Sequence, residues 1–240
     1  MKKILTLSAL IITSLASNIK AQHIMDNNNK LDCRQQSMVA ISALTAVGNI
    51  EQLKGYLKIG MDAGLTVNEI KDELIQLYAY CGFPRSLNAI NAFMVVLDER
   101  KAKGIHYPEG KTASAFNDKD KYQTGKKNLQ QLTGTDEKYL TGVNAFAPAI
   151  DSYLKEHLFA DIFSSDVLTF QQRELITVSA LAALTGVEAQ LEAHIGMGMN
   201  TGMTESQFKE AFIIIDQAVN KAQGDMARKT LDKVLDSKKQ

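Results

Sequence analysis

The feature of this sequence that most restricts its fold is an internal duplication. Residues 31–42 align with residues 168–179 at an offset of 137, and after one inserted residue the offset becomes 138. The pairs matched at the second offset are Gly48 with Gly186, Gln52 with Gln190, residues 60–66 with 198–204, and residues 96–98 with 234–236. A nearly constant offset over so many positions indicates a tandem repeat. We predict two units, residues 31–104 and residues 122–238, joined by an exposed linker at 105–121.

Each unit is predicted to be helical. A threonine followed three residues later by Glu or Gln precedes three apolar-periodic runs, and this pattern is typical of a capping box at a helix start. The three pairs are Thr66 with Glu69, Thr169 with Gln172, and Thr204 with Gln207. Glycines at 48, 64, 186 and 202 stand where preceding helices would end in a left-handed residue. No window shows sustained alternation of apolar and polar residues, so the predicted fold is all-α.

Composition excludes some classes of protein. Hydrophobic residues make up 45% and charged residues 22% of the chain, which is ordinary for a globular protein and excludes a disordered one. Lys plus Arg equals Asp plus Glu, at 27 each. A nucleic-acid-binding domain usually carries a basic excess, so no nucleic-acid partner is predicted.

The first 21 residues are predicted to be a signal peptide. Two lysines are followed by an uncharged apolar run at 4–16 and by a short polar stretch with the small residue Ala21 before the predicted cut, the pattern of a secretory signal. The run is too short to span a bilayer, which needs about 20 apolar residues. Cleavage near Ala21 would leave a periplasmic or secreted protein with no membrane attachment.

The two cysteines, Cys33 and Cys81, leave two alternatives open. In an exported protein a bridge between them could stabilise the fold by about 4 kcal/mol, whereas two free thiols are equally compatible with the sequence. Neither belongs to a Cys-x-x-Cys pair, so dithiol redox chemistry has no obvious location. The histidines outside the apolar helices, at 23, 106 and 157, lack metal-ligand spacing, and no metal site is predicted.

Glu174 and His194 are the candidate catalytic residues. Glu174 lies about ten residues before Gly186, and His194 lies about six residues into the next predicted helix. If the two helices fold back antiparallel, the axial mismatch is about 6 Å at 1.5 Å per residue, a gap that Glu and His side chains can span. A carboxylate that orients an imidazole is a common acid–base arrangement. The alternatives are a carboxylate favoured by the helix dipole and a structural histidine.

Two further residues are candidate substrate-binding residues. Arg173 could hold a substrate carboxylate bidentately, with two of its guanidinium nitrogens, although most arginines near a helix start are simply solvated. Asp216 interrupts an apolar run and either faces a pocket or turns to solvent. In the first unit Ser37 and Tyr56 occupy the positions of Glu174 and His194, so any chemistry is predicted to reside in the second unit.

The sequence resembles the carboxymuconolactone decarboxylase family, whose relatives include the alkylhydroperoxidase D group. The resemblance rests on Arg173-Glu-Leu-Ile176 opening a helix, the small-residue run at 179–184, His194, and Gly202-Met-Thr204. In the first unit Tyr80-Cys-Gly-Phe-Pro84 resembles the family's Tyr-x-Gly-x-Pro turn, which the second unit lacks.

The resemblance implies an all-helical bundle that assembles around threefold symmetry, here as a homo-oligomer, a trimer with hexamer-like symmetry. Glu174 and His194 match the Glu and His of the peroxidase branch, but Val187 and Gln190 stand where its two cysteines would be. The decarboxylase branch needs no cofactor and no thiol pair. We therefore expect a cofactor-free lyase for a small carboxylated or lactone compound. A non-enzymatic binding or accessory protein and a residual antioxidant enzyme using Cys33 or Cys81 are the alternatives.

Overall fold

The computed structural model describes residues 30–239, and the predicted signal peptide lies outside them. The regular structure in this range is helical. In chain order the helices are α1 (Cys33–Val47), α2 (Ile50–Asp62), α3 (Val67–Cys81), α4 (Phe83–Ala102), α5 (Lys121–Thr133), α6 (Gly142–Phe146), α7 (Pro148–Ser152), a π-helix (Tyr153–Ile162), α8 (Phe170–Ala183), α9 (Glu188–Asn200), α10 (Glu205–Ala218) and α11 (Lys221–Ser237). The all-α prediction is confirmed. Within the described range, no helix is both long enough and apolar enough to cross a bilayer.

The duplication is visible in the helices, since α1 to α4 recur as α8 to α11. The three predicted capping boxes are present, and Asp32 with Gln35 forms a fourth that the sequence analysis missed. Matched glycines have matched conformations: φ is 74° at Gly48 and 78° at Gly186. The left-handed region favours glycine, so these residues turn each first helix into the second.

The two units share one hydrophobic core around α1 and α8. Residues 37–46 of α1 and residues 173–183 of α8 are buried without interruption. Helices buried all round belong to the interior of a domain rather than to its surface. A single cluster of buried apolar side chains runs from Leu31 in the first unit to Val234 in the second. The repeats are therefore packed together as one body.

The segment before α8 forms a smaller layer on this core. A second apolar cluster lies between α5 and the π-helix and consists of Leu132, Leu158, Phe159, Ile162 and Phe163. Gly125 allows the close approach of the two helices, because a Cβ atom there would lie 1.8 Å from the Lys155 carbonyl oxygen. The buried Lys155 ammonium is held by Asp151 at 2.7 Å.

Residues 105–120 contain no helix and are mostly exposed, yet the chain there is attached to the first unit. The carbonyl oxygens of Pro108 and Glu109 accept hydrogen bonds from the first backbone amides of α3, at Val67 and Asn68, with distances of 3.1 and 2.9 Å. Free amides at a helix start need such acceptors. The segment between the units therefore also caps α3.

Candidate active site

Helices α8 and α9 fold back on each other and bring Glu174 and His194 into direct contact. A hydrogen bond of 2.8 Å joins His194 Nδ1 to Glu174 Oε2. Glu174 is fully buried and His194 is 7% exposed. Because α8 begins at Phe170, Glu174 lies just beyond the first turn, so the helix dipole is a weaker explanation for this carboxylate than the sequence analysis allowed.

The geometry determines which atom of the imidazole is free to act. A carboxylate can only accept a hydrogen bond, so in the pairing in which Glu174 accepts, Nδ1 carries the hydrogen and Nε2 is the nitrogen left for other partners. The second oxygen, Glu174 Oε1, is buried and has no partner among the described residues. A charge-assisted contact of this kind fixes the ring in one orientation.

The first unit contributes Tyr80 to the site. The Tyr80 ring packs edge-on against the His194 ring, with 5.3 Å between centroids. Burial raises the pKa of the Tyr80 phenol, and the negative charge of Glu174 acts in the same direction. Tyr80 therefore stays protonated and closes one side of the imidazole. The site lies between the two units.

Tyr80 was not among the site residues predicted from the sequence. The pattern that could have pointed to it is the Tyr-x-Gly-x-Pro turn, which marks the end of α3 but does not indicate what the tyrosine contacts.

The contacts of Arg173 differ from those expected of the predicted substrate anchor. Its guanidinium is fully buried, and Nη2 lies 2.5 Å from Asp72 Oδ2 and 2.7 Å from the Ser165 carbonyl oxygen. Nη1 donates to Gln76 Oε1 at 2.9 Å. These partners leave no room for bidentate binding of a substrate carboxylate. Arg173 instead ties α8 of the second unit to α3 of the first.

Asp216 was predicted to face either a substrate pocket or solvent, but its carboxylate contacts an arginine side chain instead. Its two carboxylate oxygens accept from Arg228 at 2.8 and 3.1 Å, which links α10 to α11. A carboxylate engaged at both oxygens is not available to a substrate, so the assignment of Asp216 to substrate binding has no support in its contacts.

The repeat also gives a matching pair of positions on α1 and α10. Glu210 and Gln36 are joined at 3.0 Å and correspond to Asp72 and Arg173. The reactive positions differ, however: Ser37, Tyr56 and Ala218 stand where the site has Glu174, His194 and Tyr80. Among the residues that the structure describes, the Glu–His contact of the second unit therefore has no counterpart at the matching positions of the first.

Neither cysteine supports thiol chemistry at this site. Cys33 is exposed and Cys81 is half-buried, and both are free thiols. Burial raises the pKa of the Cys81 thiol to about 11, which keeps it protonated and weakly nucleophilic at neutral pH. In the part of the chain that the structure describes, no three His, Cys, Asp or Glu side chains cluster closely enough to hold a metal ion.

A second buried carboxyl group, Glu73, lies on α3. Ser42 Oγ donates to Glu73 Oε1 at 2.8 Å, and Oε2 has no partner among the described residues. Burial raises the pKa of Glu73 well above its ordinary value of 4.5, and the hydrogen bond from Ser42 opposes this effect. Because the group is protonated more readily in the folded chain, its contribution to stability is complete below the unfolded-state pKa. That contribution is lost as the pH rises through the folded-state pKa.

The variant Glu73→Gln should remove this pH dependence. Glutamine cannot ionise, so at about pH 8 the variant should have a free energy of unfolding at least about 1 kcal/mol above that of the wild type, because the wild type must there keep a buried carboxyl group protonated or bury its charge. At about pH 4 the two proteins should differ little. Urea denaturation at both pH values measures this, with the exposed Glu51→Gln as control. A variant less stable than wild type at the higher pH would contradict the assignment.

Comparison with known proteins agrees with this architecture. The model of the carboxymuconolactone decarboxylase family matches residues 9–94 and residues 148–229, one stretch for each unit. An uncharacterized protein of Methanocaldococcus jannaschii is 28% identical over 74 residues, which cover 31% of this chain and 69% of the relative. The family model covers more than half of the sequence in two separate stretches. The chain therefore belongs to the carboxymuconolactone decarboxylase family and carries two tandem copies of the family unit.

Proposed function

We propose that this protein is an exported, cofactor-free lyase that removes carbon dioxide from a small carboxylated lactone. The observation that carries the proposal is the buried contact between Glu174 and His194 at the junction of the two units. Membership of the family supports the reaction class, and the signal-like N-terminus supports a periplasmic or secreted location.

Decarboxylation requires a proton donor beside the carbon that loses the carboxylate. When the carbon–carbon bond breaks, its electron pair enters the conjugated system as an enolate, and carbon dioxide leaves. A proton must then reach that carbon. Nε2 of a protonated His194 supplies it, while Glu174 orients the ring and compensates its positive charge. Solvent returns the proton to Nε2 after turnover, so no oxidant or reductant is consumed.

Binding in this proposal depends on the imidazolium rather than on Arg173. With Arg173 occupied, a protonated His194 is the positive group that the pair offers to an anionic substrate. Tyr80 closes one side of the ring, which restricts approach to the remaining directions. These features favour a small, flat anion over a bulky one.

The experiment that tests the proposal follows the substrate and one product at the same time. The purified protein is mixed with γ-carboxymuconolactone, and the loss of lactone absorbance is followed together with carbon dioxide release. We expect one carbon dioxide for each lactone consumed. Loss of lactone without carbon dioxide would show ring hydrolysis and overturn the lyase assignment. Binding of the lactone without turnover would support the non-enzymatic alternative.

The antioxidant alternative has less support. It requires a reactive thiolate with a resolving thiol. Val187 and Gln190 occupy the positions of the family's cysteine pair, and the Cys81 thiol is held protonated by burial.

A further inference from the structure

The fourth helices of the two units, α4 and α11, bury the same positions but present opposite chemistry to the outside. The buried residues of α4 include Ser86, Ala89 and Phe93, and their counterparts Gly224, Ala227 and Leu231 in α11 are buried too. The outward positions of the two helices also correspond, at an offset of 138 residues. On α4 they are Phe83, Leu87, Asn91, Met94 and Val95, and on α11 they are, in the same order, Lys221, Asp225, Lys229, Asp232 and Lys233. The repeat therefore provides an internal comparison.

The outward face of α11 shows what this position requires when it meets water. Its charged residues are exposed, and Lys221 and Asp225 form an ion pair of 2.8 Å along the helix. On α4 four of the five positions carry apolar side chains, which with Ile75 of α3 are 44–62% exposed. The Phe83 ring stacks on Tyr78 of α3, with 4.3 Å between centroids. Since the buried sides of the two helices agree, packing within the chain does not explain the exposed apolar side chains at Leu87, Met94 and Val95. Something outside the chain does.

We propose that this α4 face, defined by Phe83, Leu87, Asn91, Met94 and Val95, binds the same face of a second copy of the chain across a two-fold axis. Phe83, Leu87, Ile90 and Met94 follow a 4-3-4 spacing, which makes a straight apolar stripe suited to packing along another helix. An antiparallel pair would place the stripe of each copy against that of the other. Two-fold contacts of this kind are the commonest in homo-oligomers.

The polar residues beside the stripe favour a second copy over a different partner. Asn88 and Asn91 interrupt the exposed apolar surface, and each amide carries both a donor and an acceptor. Such a group can pair with its own copy across a two-fold axis, whereas a Lys or Asp would meet a like charge there. No Asp, Glu or Lys lies on α4 between Phe83 and Val95, and Arg85 turns inward to donate to the Ala46 carbonyl oxygen.

The area and shape of the face fit a dimer contact. The exposed parts of Phe83, Leu87, Met94, Val95 and Ile75 amount to roughly 500 Å², and a rim of Pro84, the two asparagines and Asp98 brings the face close to the ~800 Å² per partner of a stable interface. Beside the stripe, a groove of about 300 Å³ is lined by Lys71 and by apolar side chains that include Leu74, Ile75, Ile90 and Met94. A large side chain from the partner's stripe can enter it.

Sedimentation equilibrium on the purified chain tests the proposal with charges taken from the other repeat. The variant Leu87→Asp/Met94→Asp carries on α4 the acidic residues that α11 has at Asp225 and Asp232. We expect the wild type to form an assembly with an even number of chains and the variant to raise its dissociation constant at least 100-fold. The matched control Lys229→Asp/Lys233→Asp, on α11, should leave the assembly unchanged.

A cross-linking experiment covers the case in which the charged variant fails to fold. In a Cys33→Ser background, Asn91→Cys should form a disulfide between two chains under mild oxidation, whereas Lys229→Cys at the matching position of α11 should not. A monomeric wild type, an assembly insensitive to the α4 charges, or equal cross-linking from both cysteines would overturn the proposal. A trimer that survives the α4 charges would show that assembly uses another surface, such as the exposed residues Tyr139, Val143 and Phe146.

Discussion

Replacement of His194 by alanine should lower the rate of carbon dioxide release from the carboxylactone by about 10²–10⁴-fold, the usual effect of removing a general acid. The expectation follows from the geometry. Glu174 holds Nδ1, so Nε2 is the nitrogen left to donate a proton, and no other imidazole contacts this carboxylate among the described residues. The substitution also leaves the buried Glu174 carboxyl group without its partner and so lowers stability. The rate is therefore measured at a temperature at which circular dichroism shows the variant to be folded.

The chain offers a matched control for this experiment. His157 also pairs with a carboxylate, its Nδ1 lying 3.1 Å from Asp161 Oδ2, but its side chain is half exposed and lies in the π-helix. His157→Ala should therefore leave turnover within about twofold of wild type, since a solvated pair makes no part of the site. The steady-state rate of each variant is measured on the same substrate. Equal losses in the two variants, or none in His194→Ala, would remove His194 from the mechanism.

Replacement of Arg173 by methionine should reduce the free energy of unfolding by about 3–5 kcal/mol, the typical result of breaking a buried ion pair on one side. Methionine keeps much of the side-chain volume but leaves the largely buried Asp72 without its cation. It also removes the hydrogen bonds to Gln76 and to the Ser165 carbonyl oxygen. Because these partners belong to both units, the loss should weaken the contact between α3 and α8.

Arg228→Met is the matched control for this second prediction. Arg228 bonds Asp216 with two nitrogens, but both side chains are more than a quarter exposed. An exposed pair contributes about 0–1 kcal/mol, so this substitution should be mild. Urea denaturation of both variants measures the difference. If Arg173→Met were as stable as Arg228→Met, Arg173 would not join the units as its contacts indicate. In that case Arg173 would again be a candidate for binding a substrate carboxylate.

The contact between Glu174 and His194 could be predicted because its geometry is local. The two residues are 20 positions apart, on helices connected by a short turn at Gly186, and the rise per residue places them side by side. The capping threonines and the left-handed glycines are also local signals, which is why helix boundaries followed from the sequence. The repeat extended each of these predictions to the second unit.

The roles of Arg173, Asp216 and Tyr80 could not be predicted in the same way. Arg173 meets Asp72 and Gln76 across about a hundred residues of sequence, and Tyr80 reaches His194 from the other unit. Their partners depend on how α3 packs on α8, which no periodicity or capping pattern specifies. An arginine near a helix start and an aspartate in an apolar run look the same in sequence whether they bind a substrate or a neighbouring side chain.

The sequence by itself determined the helices, the duplication and the contact between Glu174 and His194, since capping, helical periodicity and short turns act within one or two helices. The tertiary structure alone decided that the pair is buried at the junction of the units, that Tyr80 covers it, and that Arg173 is a structural residue. It also decided that the α4 face is exposed while its interior side is packed. These properties arise from contacts between segments that are distant in the sequence. A charged side chain that is buried by such contacts needs a partner, whereas the same side chain at the surface does not.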